Sequence, residues 1–265
     1  MVWASGNVGA AVMTEDFTGY GAGALTGNSG GTGPWSGAWG TPGNSVQVNT
    51  TSGGLGTVST ISSTDPVGQA ATSSGSPLIS TRSFTTITGQ SAVYFHVLLS
   101  IDQGGNFAPL GEGGVDFFNG SGDEQFIFGK LFGSANWGIT ARPGSSFDSQ
   151  TSGVAVPDDT TTLVVGKIDQ VNNVATLWIN PDLTLLESAN SPALTLSYNS
   201  DNDDFDTVRL RAAGTTGDTW RYDNLSIFSN GDSPFAMEML AVPEPGVAAL
   251  VLLGGVVIHR RRRAG

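Results

Sequence analysis

Outside its last two dozen residues, the chain has no 12-residue window in which apolar side chains recur at spacings of three and four. An amphipathic helix would have no stripe to bury, and the period that recurs is that of a strand. Residues 92–101, AVYFHVLLSI, put Val93, Phe95, Val97, Leu99 and Ile101 on one face and Tyr94, His96 and Ser100 on the other. Short β-branched or alternating runs bounded by Gly, Asn, Asp and Pro predict further strands at 45–49, 56–62, 78–84, 115–118, 125–132, 137–141, 207–212 and 220–228. In 207–212 Val208 and Leu210 point inward, and Arg209 and Arg211 outward. Residues 161–180 read as a hairpin about Asn172-Asn173, whose side chains tolerate positive φ. Leu177 and Ile179 share one face there and Trp178 takes the other, until Pro181 ends the strand for want of an N–H. About a dozen strands with no crossover helix predict an all-β, two-sheet antiparallel sandwich.

The division along the chain follows composition. Residues 1–12, MVWASGNVGAAV, carry small residues like those at the end of a signal peptide but no basic or long apolar run, so the expectation is a residual leader with a longer signal upstream. Residues 13–232 form the sandwich domain, 233–241 a linker, and 242–265 a separate tail. Residues 1–242 hold 22 acidic and seven basic residues, a surface that is soluble and repels nucleic acid and anionic lipid. The chain has no Cys, which removes thiol catalysis, Cys-based zinc sites and iron–sulfur clusters. The glycine-rich stretch 14–39 lacks the strand–turn–helix setting and the Lys-Ser/Thr ending of a phosphate cradle, and is expected to form an edge strand and long loops.

The tail joins three unlike blocks: Val242 followed by Pro243, Glu244 and Pro245, an apolar run over 246–258, and Arg260, Arg261, Arg262 and Arg263. An apolar run partitions into hydrocarbon, while an arginine cluster directly after it stays on the cytoplasmic side and leaves the body outside. The 13 apolar residues reach about 20 Å as a helix against a core of about 30 Å, too short for a comfortable lasting anchor. The order Pro-Glu-Pro, apolar helix, basic cluster resembles the PEP-CTERM sorting signal of exported bacterial proteins. That resemblance implies recognition by an exosortase-type membrane protease, transient residence in the inner membrane, and delivery to the cell surface or extracellular matrix. The plain alternative is a simple C-terminal anchor.

The series TEDFTGYGAGALTGNSGGTG, DEQFIFGK, VVGKID, LWINP, FDTVRLRAAG and WRYDNLSIF resembles the concanavalin A-like (laminin G-like) jelly rolls found ahead of such tails in planctomycete- and verrucomicrobia-type proteins. It implies a jelly-roll fold over about residues 14–229, and for most such proteins no established activity. Fold alone assigns no chemistry, so any site must be carried by particular residues. Glu15-Asp16 and Asp123-Glu124 are adjacent and point to opposite faces of a strand, so neither forms alone the pair about 5–5.5 Å apart that a retaining glycosidase needs. His96 has no second His in the body to share a metal or relay, and no Gly-x-Ser-x-Gly elbow presents a nucleophile. The expectation is therefore no enzyme, with a glycoside hydrolase or lyase as the alternative. Asp201, Asp203, Asp204 and Asp206 offer oxygens for a non-EF-hand calcium site, the one cofactor in view, against the plainer reading of a solvated loop. Tyr94, Trp178, Arg209 and Arg221 lie opposite apolar neighbours and are candidate contacts for extracellular polysaccharide, against the plainer reading that Trp fills core space.

The tail carries its own test. Fractionation of the native host with C-terminal mass spectrometry is expected to find the body outside the cytosol; intact chain in the cytosol ending in its arginines would contradict the export reading.

Overall fold

The computed structural model of the chain describes residues 13–17, 20–40, 46–49, 67–71, 78–102, 111–142, 148–199, 203–213, 219–229 and 231–235. Fifteen strands appear among them: β1 Met13–Glu15, β2 Gly23–Ala24, β3 Gln47–Asn49, β4 Val67–Ala71, β5 Leu78–Ile87, β6 Val93–Asp102, β7 Glu112–Phe118, β8 Glu124–Lys130, β9 Asn136–Ala141, β10 Asp148–Ala155, β11 Thr162–Asp169, β12 Val174–Ile179, β13 Leu194–Ser197, β14 Phe205–Ala213 and β15 Thr219–Phe228. They form two antiparallel sheets. The larger runs β13-β12-β11-β6-β15-β4-β3-β2, with β1 also paired to β15, and the smaller runs β10-β9-β8-β7-β14-β5. This is an all-β, two-sheet antiparallel sandwich. Among the described residues no helix is long and apolar enough to cross a membrane; the expected C-terminal apolar helix and the sorting residues 242–263 lie outside them.

Alternation builds the core as the sequence requires. Val93, Phe95, Val97, Leu99 and Ile101 of β6 face Val115 and Phe117 of β7, Phe126 and Phe128 of β8, and Val208 and Leu210 of β14 across the sandwich. The rings interlock, with centroids 4.9 Å apart for Phe95–Phe128 and 5.0 Å for Phe117–Phe205, within the range of favourable aromatic pairs. Gly166 of β11 lies directly opposite Phe95, and a Cβ there would stand 2.0 Å from the Phe95 ring. The missing side chain makes room for the ring.

The hairpin turn holds Asn173 at φ 55°, and Leu177 and Trp178 take opposite faces as their spacing predicts. The expected strand 56–62 lies outside the described residues. The expected strand 125–132 ends early at Lys130, and Phe132 sits 65% exposed in the turn after it. Strands β4, β10 and β13 were not readable from periodicity. β10 is an edge strand with a largely exposed sequence, DSQTSGVA, so it carries no apolar alternation. β15 bulges between Asp223 and Ser226, with Asn224 at φ 50°, where its neighbour changes from β4 to β1.

The glycine-rich stretch is tied down by a buried charge. Glu15 Oε2 accepts from Arg82 Nη1 at 2.6 Å, the Tyr20 hydroxyl at 2.7 Å and the Trp39 indole N–H at 2.9 Å, while Oε1 accepts from the Phe17 N–H at 2.9 Å. Arg82 in turn donates to the carbonyls of Gly30 and Gly37 and stacks 4.6 Å from the Trp35 ring. Gly31, at φ 78°, brings its backbone against Thr14, where a Cβ would lie 2.2 Å from the Thr14 carbonyl oxygen. Loop segments without apolar periodicity are thus fixed by one buried ion pair.

Removing one partner of such a pair strands the other charge. Glu15→Ala is expected to cost about 3–5 kcal/mol in urea unfolding, and Glu15→Leu combined with Arg82→Met to cost clearly less than the two single changes added together. Strict additivity would show that the pair is not coupled.

Candidate functional site

Because Val208, Leu210 and Ala212 enter the core, β14 must turn Thr207, Arg209 and Arg211 to the outer face of the smaller sheet. The neighbouring strands do the same. Register sets Thr81 of β5 and Asp116 of β7 on either side of Arg209, and Ser83 and Phe118 on either side of Thr207. The resulting cleft of about 720 Å³ is lined by Thr81, Ser83, Phe118, Asn119, Asp206 and Arg209, among others.

Arg209 is pinned at its base. Its Nε donates to Asp116 Oδ2 at 2.6 Å and its Nη2 to Glu124 Oε2 at 2.6 Å, and the guanidinium lies 4.3 Å from the Phe118 ring centre. Arg211 pairs with Glu112, and Arg142 reaches the other oxygen of Glu124 at 2.8 Å. Asp116 is wholly buried, and among the described residues its second oxygen has no hydrogen-bond partner. Burial pushes the Asp116 carboxyl up to about 7, against the opposing pull of Arg209.

The rim is equally ordered. Asn119 Oδ1 accepts from the Ser121 N–H at 3.0 Å and the Asp123 N–H at 2.9 Å, closing a rigid turn. The Thr207 hydroxyl donates to Asp206 Oδ1 at 3.0 Å, so Ser83 is the donor in its 3.1 Å contact with Thr207. A flat ring, a flat guanidinium, hydroxyls, an amide and a carboxylate therefore meet in one open hollow whose polar groups are already oriented.

Of the four residues proposed from sequence as sugar contacts, only Arg209 lines this hollow. Tyr94 and Trp178, expected on open strand faces, are 5% and 3% exposed, because residues 181–192 and 231–235 cover that side of the larger sheet and Phe235 packs on both rings. Burial and the hydrogen bond to Glu187 push the Tyr94 phenol up to about 12. Arg221 is held by Asp159 at 2.9 Å. It pairs with Ser100 while Phe228 pairs with Tyr94, so the two sites stand about 20 Å apart along β6 at the usual rise per residue. His96 belongs to the second face, as its parity requires, but it is buried there against Phe228, and burial pulls its imidazole down to about 4.

The acidic cluster is divided. Asp201 lies outside the described residues. Asp203 is buried and accepts the Tyr198 hydroxyl at 2.9 Å, Asp204 is partly exposed, and Asp206 turns outward to the cleft. Among the described residues no three His, Asp or Glu side chains come together as a metal cage.

Two carboxylates do meet, but not the adjacent ones visible in sequence. Asp116 and Glu124 come from neighbouring strands and share one guanidinium. Outward parity at Arg209 was the available signal; the strand register that adds Thr81, Ser83, Phe118 and Asp116 to it was not.

No family model matches the chain, and no curated protein matches it. Among solved structures it is similar to a sialidase, at a TM-score of 0.50 and 10% identity over 83% of this chain, and this chain spans only 19% of the sialidase's length. It is also similar to the carbohydrate-binding module CBM66 from Bacillus subtilis, with a TM-score of 0.44 and 8% identity over 72% of this chain and 95% of that one. A legume lectin-like domain from Entamoeba histolytica aligns with a TM-score of 0.42 and 12% identity over 63% of this chain and 84% of that one. The likeness is one of fold alone, a two-sheet antiparallel sandwich.

A raised folded-state value for Asp116 means that the native state holds a proton the unfolded chain releases near the ordinary value of 3.8. Its contribution to stability is whole below that value and is lost as pH rises toward about 7. The stability of the wild type relative to Asp116→Asn is accordingly expected to fall between about pH 4 and 7 in urea titrations. A difference that is flat or rises would contradict the burial account.

Proposed function

We propose that the chain is an exported, non-catalytic sandwich that binds extracellular polysaccharide in the Arg209 cleft, after delivery to the surface or matrix by an exosortase acting on its Pro243-Glu244-Pro245 tail. The observation that carries the binding reading is the preorganised mix at the cleft. Sugar rings present apolar C–H faces and equatorial hydroxyls, and Phe118 beside the Arg209 plane suits the first while Asn119, Thr81, Ser83 and Asp206 suit the second. The charge of Arg209 is already taken by Asp116 and Glu124, and Asp206 adds a negative rim, which favours a neutral sugar over an acidic one.

The convergence of Asp116 and Glu124 supports a second reading, a glycoside hydrolase with the buried, raised carboxyl as its acid. Against it, Asp116 has no exposed surface and Arg209 stands on one of its two oxygens. A general acid must come within hydrogen-bond reach of the proton's destination, so the binding reading is the stronger.

Affinity electrophoresis of the full chain in gels containing dextran, laminarin or galactomannan tests the proposal. Retardation is expected in at least one neutral polysaccharide, and Phe118→Ala and Asp206→Asn are each expected to weaken it roughly tenfold, the loss of about 1.4 kcal/mol of contact. Retardation that is indifferent to both changes would remove the cleft from the account. Release of reducing ends from the same polymers, abolished by Glu124→Gln, would replace binding by hydrolysis.

A further inference from the structure

The outer face of the larger sheet holds a second hollow, of about 600 Å³, floored by Tyr94, Thr176 and Trp178. Ala175 and Leu177 of the same strand enter the core, so this hollow opens away from the Arg209 cleft, on the other side of the sandwich. One wall is the segment 181–192. Asn190 ties it together: its side-chain amide donates to the carbonyls of Asp182 and Leu186, both at 3.0 Å, and its Oδ1 accepts from the Asp182 N–H at 2.8 Å. The Trp178 indole N–H donates to the Asn190 carbonyl at 3.1 Å, joining that wall to the floor. The other wall is Phe235, edge to face with Trp178 at 5.2 Å and with Tyr94 at 6.2 Å.

Among the described residues lining the hollow the one carboxylate is Glu187. Lys167 Nζ stands 2.9 Å from one of its oxygens and the Tyr94 hydroxyl donates to the other. The Glu187 charge is thereby compensated, leaving hydroxyls from Thr176, Ser188 and Thr195 around aromatic edges. This repeats, on unrelated residues, the mixture of apolar ring and oriented polar groups that marks the Arg209 cleft.

We propose that this hollow is a second subsite for neutral sugar rings, and that the two sites on opposite faces let one chain bridge two polysaccharide strands. The inference rests on the carbohydrate-binding reading of the first cleft and adds cross-linking to it. Two weak sites that engage separate strands of a polymer also gain from multivalency, so a matrix would be held more tightly than either affinity implies.

The test uses beads coated separately with dextran, laminarin and galactomannan, and the full chain. Wild type is expected to aggregate the beads whose polymer it binds. Phe235→Ala, which removes one wall without touching a strand, and Glu187→Gln are each expected to leave binding through the first cleft but to raise the protein needed for aggregation at least about tenfold. Asp206→Asn, in the first cleft, should leave binding through the second hollow and likewise raise the protein needed for aggregation, and Phe235→Ala combined with Asp206→Asn should bind the beads more weakly than either single change. Binding without aggregation by wild type, or aggregation unchanged by Phe235→Ala and Glu187→Gln, overturns the bridge and leaves the first cleft standing. Absence of wild-type binding to all three polymers overturns both readings.

Discussion

The pleat of β14 is the constraint on which the rest depends. Val208, Leu210 and Ala212 are committed to the aromatic core, and a strand that buries one set of side chains must present the other. A shift by one residue would bury Arg209 and Arg211 among phenylalanines and expose the residues that hold the two sheets together. The polar outer face of the smaller sheet is therefore a consequence of how the core is filled. Pairing with β5 and β7 then decides what surrounds Arg209, and those partners bring a carboxylate, an aromatic ring and two hydroxyls to one place.

Charge is used differently at two positions. Glu15 and Arg82 are both buried, and each is saturated by partners drawn from loops, so the pair organises a glycine-rich region that could not form a core of its own. Asp116 is as deeply buried but only half satisfied, with one oxygen on Arg209 and the other alone. Its cost falls when it holds a proton. The first arrangement gives shape to loops, whereas the second holds a guanidinium flat at the bottom of an open hollow. Holding that group still in advance matters for a weak ligand, because side chains already immobilised lose little further freedom on binding.

The sequence made the class of fold and much of its interior legible, since alternation in 92–101, in the 161–180 hairpin and in 207–212 states which residues face inward. β10 was not legible because an exposed edge strand needs no apolar face, and β13 because four residues carry too little pattern. Arg209 could be marked as outward, but the cleft around it depends on which strands pair and in what register. Those long-range choices have no local signature. Tyr94 and Trp178 keep the parity read from sequence, but no local pattern tells that residues 181–192 and 231–235 fold back over that face and leave the two rings at the floor of a hollow. The acidic run at 201–206 looked like one site, yet Asp203 turned to Tyr198 and Asp206 turned to the cleft once Phe205 entered the core between them.

These features join in a simple picture: a rigid sandwich whose core is closed by aromatic packing and whose outer faces are left to polar, pre-arranged hollows. The most direct check is the amide spectrum of the isotopically labelled full chain as a neutral oligosaccharide from the bound polymer is added. The account requires that signals from Thr81 and Ser83, from residues 118–122 and from residues 206–209 move together and saturate. Shifts confined to other parts of the chain, with these signals unmoved at saturation, would contradict it.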